Sequence, residues 1–218
     1  MKNEFVFLDE RLPGVRWDSK YATWDNFTGK PVDGYEINRI VVTHALADAL
    51  CEAKDKAGAL GYGLLVLDGY RPQRAVNCFL HWSAQPEDDC TKEKYYPNID
   101  RSEMITKGYV ATKSGHSRGS AIDLTLYRLD TGTLVSMGTR FDFMDERSHH
   151  TSKGIAGNEA ENRRVLCSIM EDSGFDSYIY EWWHYVLKNE PYPNCYFDFP
   201  ISNEILSGLG SRLEMYKT

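Results

Sequence analysis

At 218 residues, with 42% hydrophobic and 13% aromatic side chains, the chain can bury a sizeable core and lies outside the disordered and fibrous classes. Its length suits one large domain or two small ones, and Trp and Tyr scattered from Trp17 to Tyr216 without a Gly/Ser linker favour one. With 25 basic against 32 acidic residues, the net charge is −7 and no Lys/Arg block stands out, which argues against nucleic acid as a partner.

The first residues, Met1 to Glu10, carry acids where a signal peptide needs an apolar run. No stretch of about 18 apolar residues follows, so neither export nor a membrane segment is expected. In chain order, the first clear element is a helix over 38–60. Val42, Leu46, Leu50, Ala53 and Ala57 step along one face, and Gly61 is placed to stop it. Leu64 to Leu67, continuously apolar between Gly63 and Asp68-Gly69, reads as a buried strand. A second helix is expected after Pro72, using Ala75, Val76, Phe79 and Leu80. The polar, Pro-containing run 85–100 reads as a loop.

Ala121 to Arg128 alternates, with Ile122, Leu124 and Leu126 toward the core and Asp123 facing a cleft. Asp130 to Thr133 is a hairpin signal, 158–172 a helix ending near Gly174, and 178–187 a further strand. Mixed helices and strands with at least one hairpin predict an α+β single domain with a small, mainly antiparallel sheet. Five cysteines (Cys51, Cys78, Cys90, Cys167, Cys195), odd in number and widely spaced, suit a reducing cytoplasm rather than a disulfide framework or a C-x-x-C metal pair.

Two short segments hold most of the chemistry: Ser114 to Asp123 (S-G-H-S-R-G-S-A-I-D) and Glu181 to Tyr185 (E-W-W-H-Y). A catalytic zinc takes three protein ligands and an open position, and His116, Asp123 and His184 would make such a set. Glu181 would then be the carboxylate that takes a proton from the attacking water. Each piece also has a plain reading. A lone His on a strand or loop is more often a hydrogen-bonded structural residue. Trp182 and Trp183 suit a core or a pocket wall, His44 and His149-His150 suit a surface or a helix, and Cys78 suits packing. Asp123 is costly to bury without a partner or metal. In an ideal strand 181 and 184 point to opposite faces, so both can serve one site only if the chain bends between them. Gly115 to Gly119 also matches G-x-S-x-G, which would make Ser117 a nucleophile, but that elbow needs a helix after the serine and here a strand pattern follows.

The first segment resembles the S-x-H-x-x-G-x-A-x-D signature of zinc D,D-peptidases, and E-W-W-H resembles their E-x-x-H. The stretches 68–72 (D-G-Y-R-P), 20–35 and 140–150 (R-F-D-F-M-D-E-R-S-H-H) are similar to the cytoplasmic D-Ala-D-Ala dipeptidases of glycopeptide-resistant bacteria, and the likeness runs from Phe5 to Pro200. The resemblance implies one zinc per chain held by His116, Asp123 and His184, Glu181 as general base and Arg71 facing the tetrahedral oxyanion. It implies Asp142 as the anchor of the substrate ammonium, with Tyr21 and Ser114 as neighbouring candidates. The other reading of Arg71 is a surface ion pair with Asp68. Gly115 stands where the closest relatives lead one to expect Ser.

The implied fold is that shared by D-Ala-D-Ala metallopeptidases and the hedgehog signalling domain, in a catalytic domain over 1–202 with a tail over 203–218. The implied reaction is hydrolysis of D-alanyl-D-alanine in the cytoplasm, which supports vancomycin resistance by depleting that dipeptide. Alternatives are a D,D-carboxypeptidase on longer wall peptides, a zinc-containing binding domain without catalysis and, last, the serine hydrolase. The sequence does not set the oligomeric state.

Overall fold

In the computed structural model, which describes residues 5–204 and 213–218, the chain begins with strand β1 (Phe5–Phe7), a single helical turn α1 (Leu8–Arg11) and strand β2 (Arg16–Trp17). Strand β3 (Val41–Thr43) then pairs antiparallel with β1 as a separate two-stranded ribbon. Helix α2 (His44–Ala59) follows, shorter at its start than the apolar spacing suggests. Val42 belongs to β3, because the β-branched run before Thr43 pairs with Phe5 to Phe7. Thr43 closes the strand and caps the helix, its hydroxyl accepting the Leu46 N–H at 3.3 Å.

The main sheet contains β4 (Tyr62–Asp68), β5 (Ala121–Arg128), β6 (Phe175–Ser177) and β7 (His184–Leu187), and its order is β2-β4-β5-β7-β6. Only β2 and β4 run parallel; the other neighbours are antiparallel. Helix α3 (Gln73–Ser83) begins directly after Pro72, and the expected loop at 85–100 contains a short turn of helix, α4 (Lys92–Tyr95), that buries Tyr95 and Tyr96. Helix α5 (Gly157–Glu171) lies against α2 and β6. The face of α2 built from Leu46, Leu50, Ala53 and Ala57 is fully buried and packs toward β4 and α5. Burying each leucine contributes roughly 1.5–3 kcal/mol, so truncating Leu50 would remove part of the support under the sheet.

The alternation read in β5 holds for Ile122, Leu124 and Leu126, but its other face is covered as well. Tyr127 packs where a side chain on Gly63 would lie and under the Arg16 guanidinium, and the chain returns beside β5 with Val135 N–H donating to Leu126 O. The hairpin signal at 130–133 closes with Leu134 bridged to Tyr127. All five cysteines are free thiols. Of the tail expected over 203–218, residues 205–212 lie outside the described part, and residues 213–218 fold back on 196–199, with Lys217 bridged to Phe197 and the Tyr216 ring against Phe199. Among the described residues no helix is long and apolar enough to cross a membrane.

His150, half-buried with its ring against Tyr185 and its Nε2 without a partner among the described residues, is held neutral, burial pushing its pKa down to about 4. The stability tied to that neutral ring is complete above the unfolded value near 6.5 and is lost as the pH falls from there through about 4. We expect the Tm to drop between pH 7 and pH 5 and the drop to shrink in His150→Gln; an unchanged pH slope in that variant would contradict the assignment.

Candidate active site

A bulge in β4 between Val66 and Asp68 shifts the register so that Asp68 stands opposite Asp123 of β5, and Asp123 in turn pairs with His184 of β7. One irregularity therefore puts two carboxylates and an imidazole in a row across three strands, a common use of bulges beside active sites. Just past β4, Gly69 passes so near β3 that a Cβ there would lie 2.6 Å from the Val41 carbonyl oxygen, so only glycine fits. The Gly69 carbonyl accepts Nδ1–H of His116 at 2.6 Å, which leaves the His116 Nε2 lone pair turned to the row. His116 itself rides on a 3-10 turn, Gly115–Arg118, which Ser114 caps through its hydroxyl and Gly119 ends at φ 72°.

The strand expected over 178–187 exists only from His184 onward. Residues 178–183 form turns instead, with Glu181 N–H donating to Tyr178 O, His184 N–H to Glu181 O, and Trp182 N–H to Ser148 O. This bend resolves the parity conflict, because Glu181 and His184 now line the same cavity. Trp183 walls that cavity, whereas Trp182 is buried behind it with its indole N–H on Thr139.

The cavity has a volume of about 330 Å³, and all of Tyr21, Arg71, Ser114, His116, Asp123, Asp142, Glu181 and His184 line it. His116 Nε2 lies 3.1 Å from His184 Nδ1 and 3.2 Å from an Asp123 oxygen, and His184 Nδ1 lies 2.9 Å from the other Asp123 oxygen. Donors held about 2.0–2.1 Å from a tetrahedral zinc stand about 3.3 Å apart, so two imidazole nitrogens and one carboxylate in this arrangement fit such an ion. Among the described residues these three alone form a metal-holding group. Glu181 stands outside it, its nearest oxygen 3.9 Å from His184 Nδ1.

Burial alone would push Asp123 up, but the two imidazoles hold it well below the usual carboxylate range. Glu181 goes the other way: its enclosure raises it to about 7, with the Asp123 charge adding to the effect and His184 opposing it. Two carboxylates on one cavity are thus pushed apart, one toward permanent ionisation and the other into the range where a proton is easily taken and returned. Arg71 is no surface residue. Its guanidinium pairs with buried Asp68 at 2.9 Å, reaches Asp123 at 3.4 Å and lies over the Tyr21 ring.

Asp142 lines the cavity in the left-handed region at φ 58°, which is strained for a residue other than glycine. Its carboxylate accepts the Tyr21 hydroxyl at 2.8 Å and forms no ion pair among the described residues; burial, reinforced by the charge of Asp123, raises it well above its ordinary value. Such a group favours any cation that arrives. Ser114 faces the cavity with its hydroxyl already engaged in capping.

Asp68, which the sequence offers only as the partner of Arg71 in a surface ion pair, does pair with Arg71 but is buried, where it also accepts the Tyr35 hydroxyl and lies beside His116. Tyr109, Tyr178 and Tyr180 also line the cavity and carried no such signal. Ser117 is fully buried with no base beside its hydroxyl and precedes a strand, so the elbow geometry is absent. His149 and His150 are half-buried against Tyr180 and Tyr185 rather than on an open surface, and His44 opens α2. A Cβ on Gly115 would meet only Ala121 and Arg118 at ordinary contact distances, so packing does not demand glycine there.

The chain is 73% identical to a D-alanyl-D-alanine dipeptidase of Enterococcus faecium over 201 residues, covering 92% of this chain and all of that one. It is 61% identical to the Streptomyces coelicolor D-alanyl-D-alanine dipeptidase over 93% of this chain and all of that one. With the Escherichia coli D-alanyl-D-alanine dipeptidase it shares 35% over 84% of each chain. The profile of the Peptidase_M15 family, described as D-ala-D-ala dipeptidase, matches residues 1–202. An α+β domain with this cavity and these relatives is a peptidase, and the chain belongs to the M15 D-Ala-D-Ala dipeptidase family.

Proposed function

We propose that this enzyme hydrolyses the dipeptide D-alanyl-D-alanine at a zinc site held by His116, Asp123 and His184, one ion per chain, within a catalytic unit over residues 1–202. The observation that carries the reading is the convergence of two imidazoles and a carboxylate beside an enclosed Glu181 that is not one of them. When bound, zinc polarises the scissile carbonyl and lowers the pKa of a coordinated water to about 7. The protein supplies the rest. Asp142, oriented by the Tyr21 hydroxyl, receives the substrate ammonium and sets one end of the dipeptide. Glu181 takes the proton of the attacking water and returns it to the leaving amine nitrogen, so that the C–N bond breaks and two D-alanine molecules leave. Arg71, fixed by Asp68, presents its guanidinium to the oxyanion that develops on the carbonyl oxygen.

Depletion of the dipeptide in the cytoplasm would leave wall precursors without the D-Ala-D-Ala terminus, and we infer a role in glycopeptide resistance on that basis. The test is metal removal and ligand exchange. Dialysis against a chelator should abolish D-Ala-D-Ala hydrolysis and zinc should restore it, while His116→Ala, Asp123→Ala and His184→Ala should each lower bound zinc sharply. Full zinc retention in all three variants would overturn the ligand assignment. Unimpaired hydrolysis by the metal-free protein would overturn the zinc dependence.

A further inference from the structure

Among the described residues Arg163, on α5, is the largest fully buried side chain, at 2% exposure, and no carboxylate pairs with it. Its donors go to backbone and hydroxyl oxygens. Nε donates to Met137 O at 2.7 Å, Nη1 to Arg147 O at 2.8 Å and His149 O at 2.9 Å, and Nη2 to Thr139 Oγ1 at 3.2 Å. Met137 and Thr139 lie on the outgoing leg of one long segment, and Arg147 and His149 lie on its returning leg. Between the legs is Asp142, held at a positive φ.

A buried cation without a counter-charge is costly, and apolar side chains could fill the same volume. What they cannot do is bind three carbonyl oxygens on two legs at once, which the rigid guanidinium fork does. We propose that Arg163 is a positioning residue for substrate binding: it clasps the neck of the 137–149 loop and so holds the strained Asp142 at the distance from the metal-holding group that a dipeptide requires. The clasp also reaches the bend that carries Glu181. Thr139 Oγ1 accepts Trp182 Nε1–H at 2.8 Å as well, and Trp182 N–H donates to Ser148 O on the returning leg, but the bend also has turn bonds that do not involve the loop, Glu181 N–H to Tyr178 O and His184 N–H to Glu181 O. The effect of loosening Arg163 therefore falls on Asp142 first.

This inference rests on the reading of Asp142 as the ammonium anchor, and a double-mutant cycle on the zinc-loaded enzyme separates the two. Arg163→Lys keeps the charge but cannot span both legs. It should raise KM for D-Ala-D-Ala about 10-fold, with kcat within about 3-fold and zinc content unchanged. In an Asp142→Ala background, where KM is already raised, the same change should add less than about twofold. If KM rises equally in both backgrounds, or not at all, the clasp is overturned while the anchor stands. If Asp142→Ala alone leaves KM unchanged, the anchor reading falls and the clasp's role with it. Should Arg163→Lys not accumulate as folded protein, Thr139→Val, which removes the shared hydroxyl and keeps the shape, is judged by the same non-additivity.

Discussion

Replacing Glu181 with Gln is expected to lower kcat by about 10² to 10⁴ while zinc stays bound. The amide has nearly the volume of the carboxyl group and can keep its place on the cavity wall, but it cannot take a proton. Because the Glu181 oxygens lie outside the metal-holding group, the closest at 3.9 Å from His184 Nδ1, metal content should be that of the unaltered enzyme. Metal analysis and steady-state kinetics on the same preparation check both halves. Loss of zinc would make Glu181 a ligand, and near-normal kcat would remove it from the proton transfers altogether. The contrast with Asp123 is instructive, since both are carboxylates facing one cavity. The one pressed between two imidazoles stays ionised, and the one shut in by the cavity wall is raised to about 7.

N-acetylation of the substrate is expected to lower kcat/KM by about 10² to 10⁴, on the scale of the roughly 3–5 kcal/mol that follows from leaving one member of a buried ion pair alone. Asp142 is 8% exposed, and its hydrogen-bonding partner is the neutral Tyr21 hydroxyl. A free ammonium neutralises it. An acetamide brings no positive charge and places extra atoms beside buried Asp142. Competition assays with D-Ala-D-Ala and its N-acetyl form measure the ratio directly. Comparable turnover of the two would mean that the cavity does not gauge the substrate from its N-terminus, and a carboxypeptidase acting on longer wall peptides would then be the better reading.

Much of the architecture was legible in the chain itself because it depends on local periodicity. The alternation of Ile122, Leu124 and Leu126 and the apolar face of α2 at Leu46, Leu50, Ala53 and Ala57 are buried as their spacing indicates. The segments bearing His116, Asp123, His184 and Glu181 were legible too, because those residue types crowd into two short stretches. Helix α2 begins later than its pattern does because a strand, β1, lies elsewhere in the sequence and claims Val41 to Thr43. The same holds for the bend before His184: an apolar, aromatic run extends as a strand by propensity, and hydrogen bonds to Tyr178 and to Ser148 of a distant loop turn it instead. The chain alone thus determined which groups are available for the chemistry. Their convergence on one cavity was decided by the tertiary structure, because the bulge at Asp68, the close pass at Gly69 and the guanidinium across the Asp142 loop each join segments far apart in sequence.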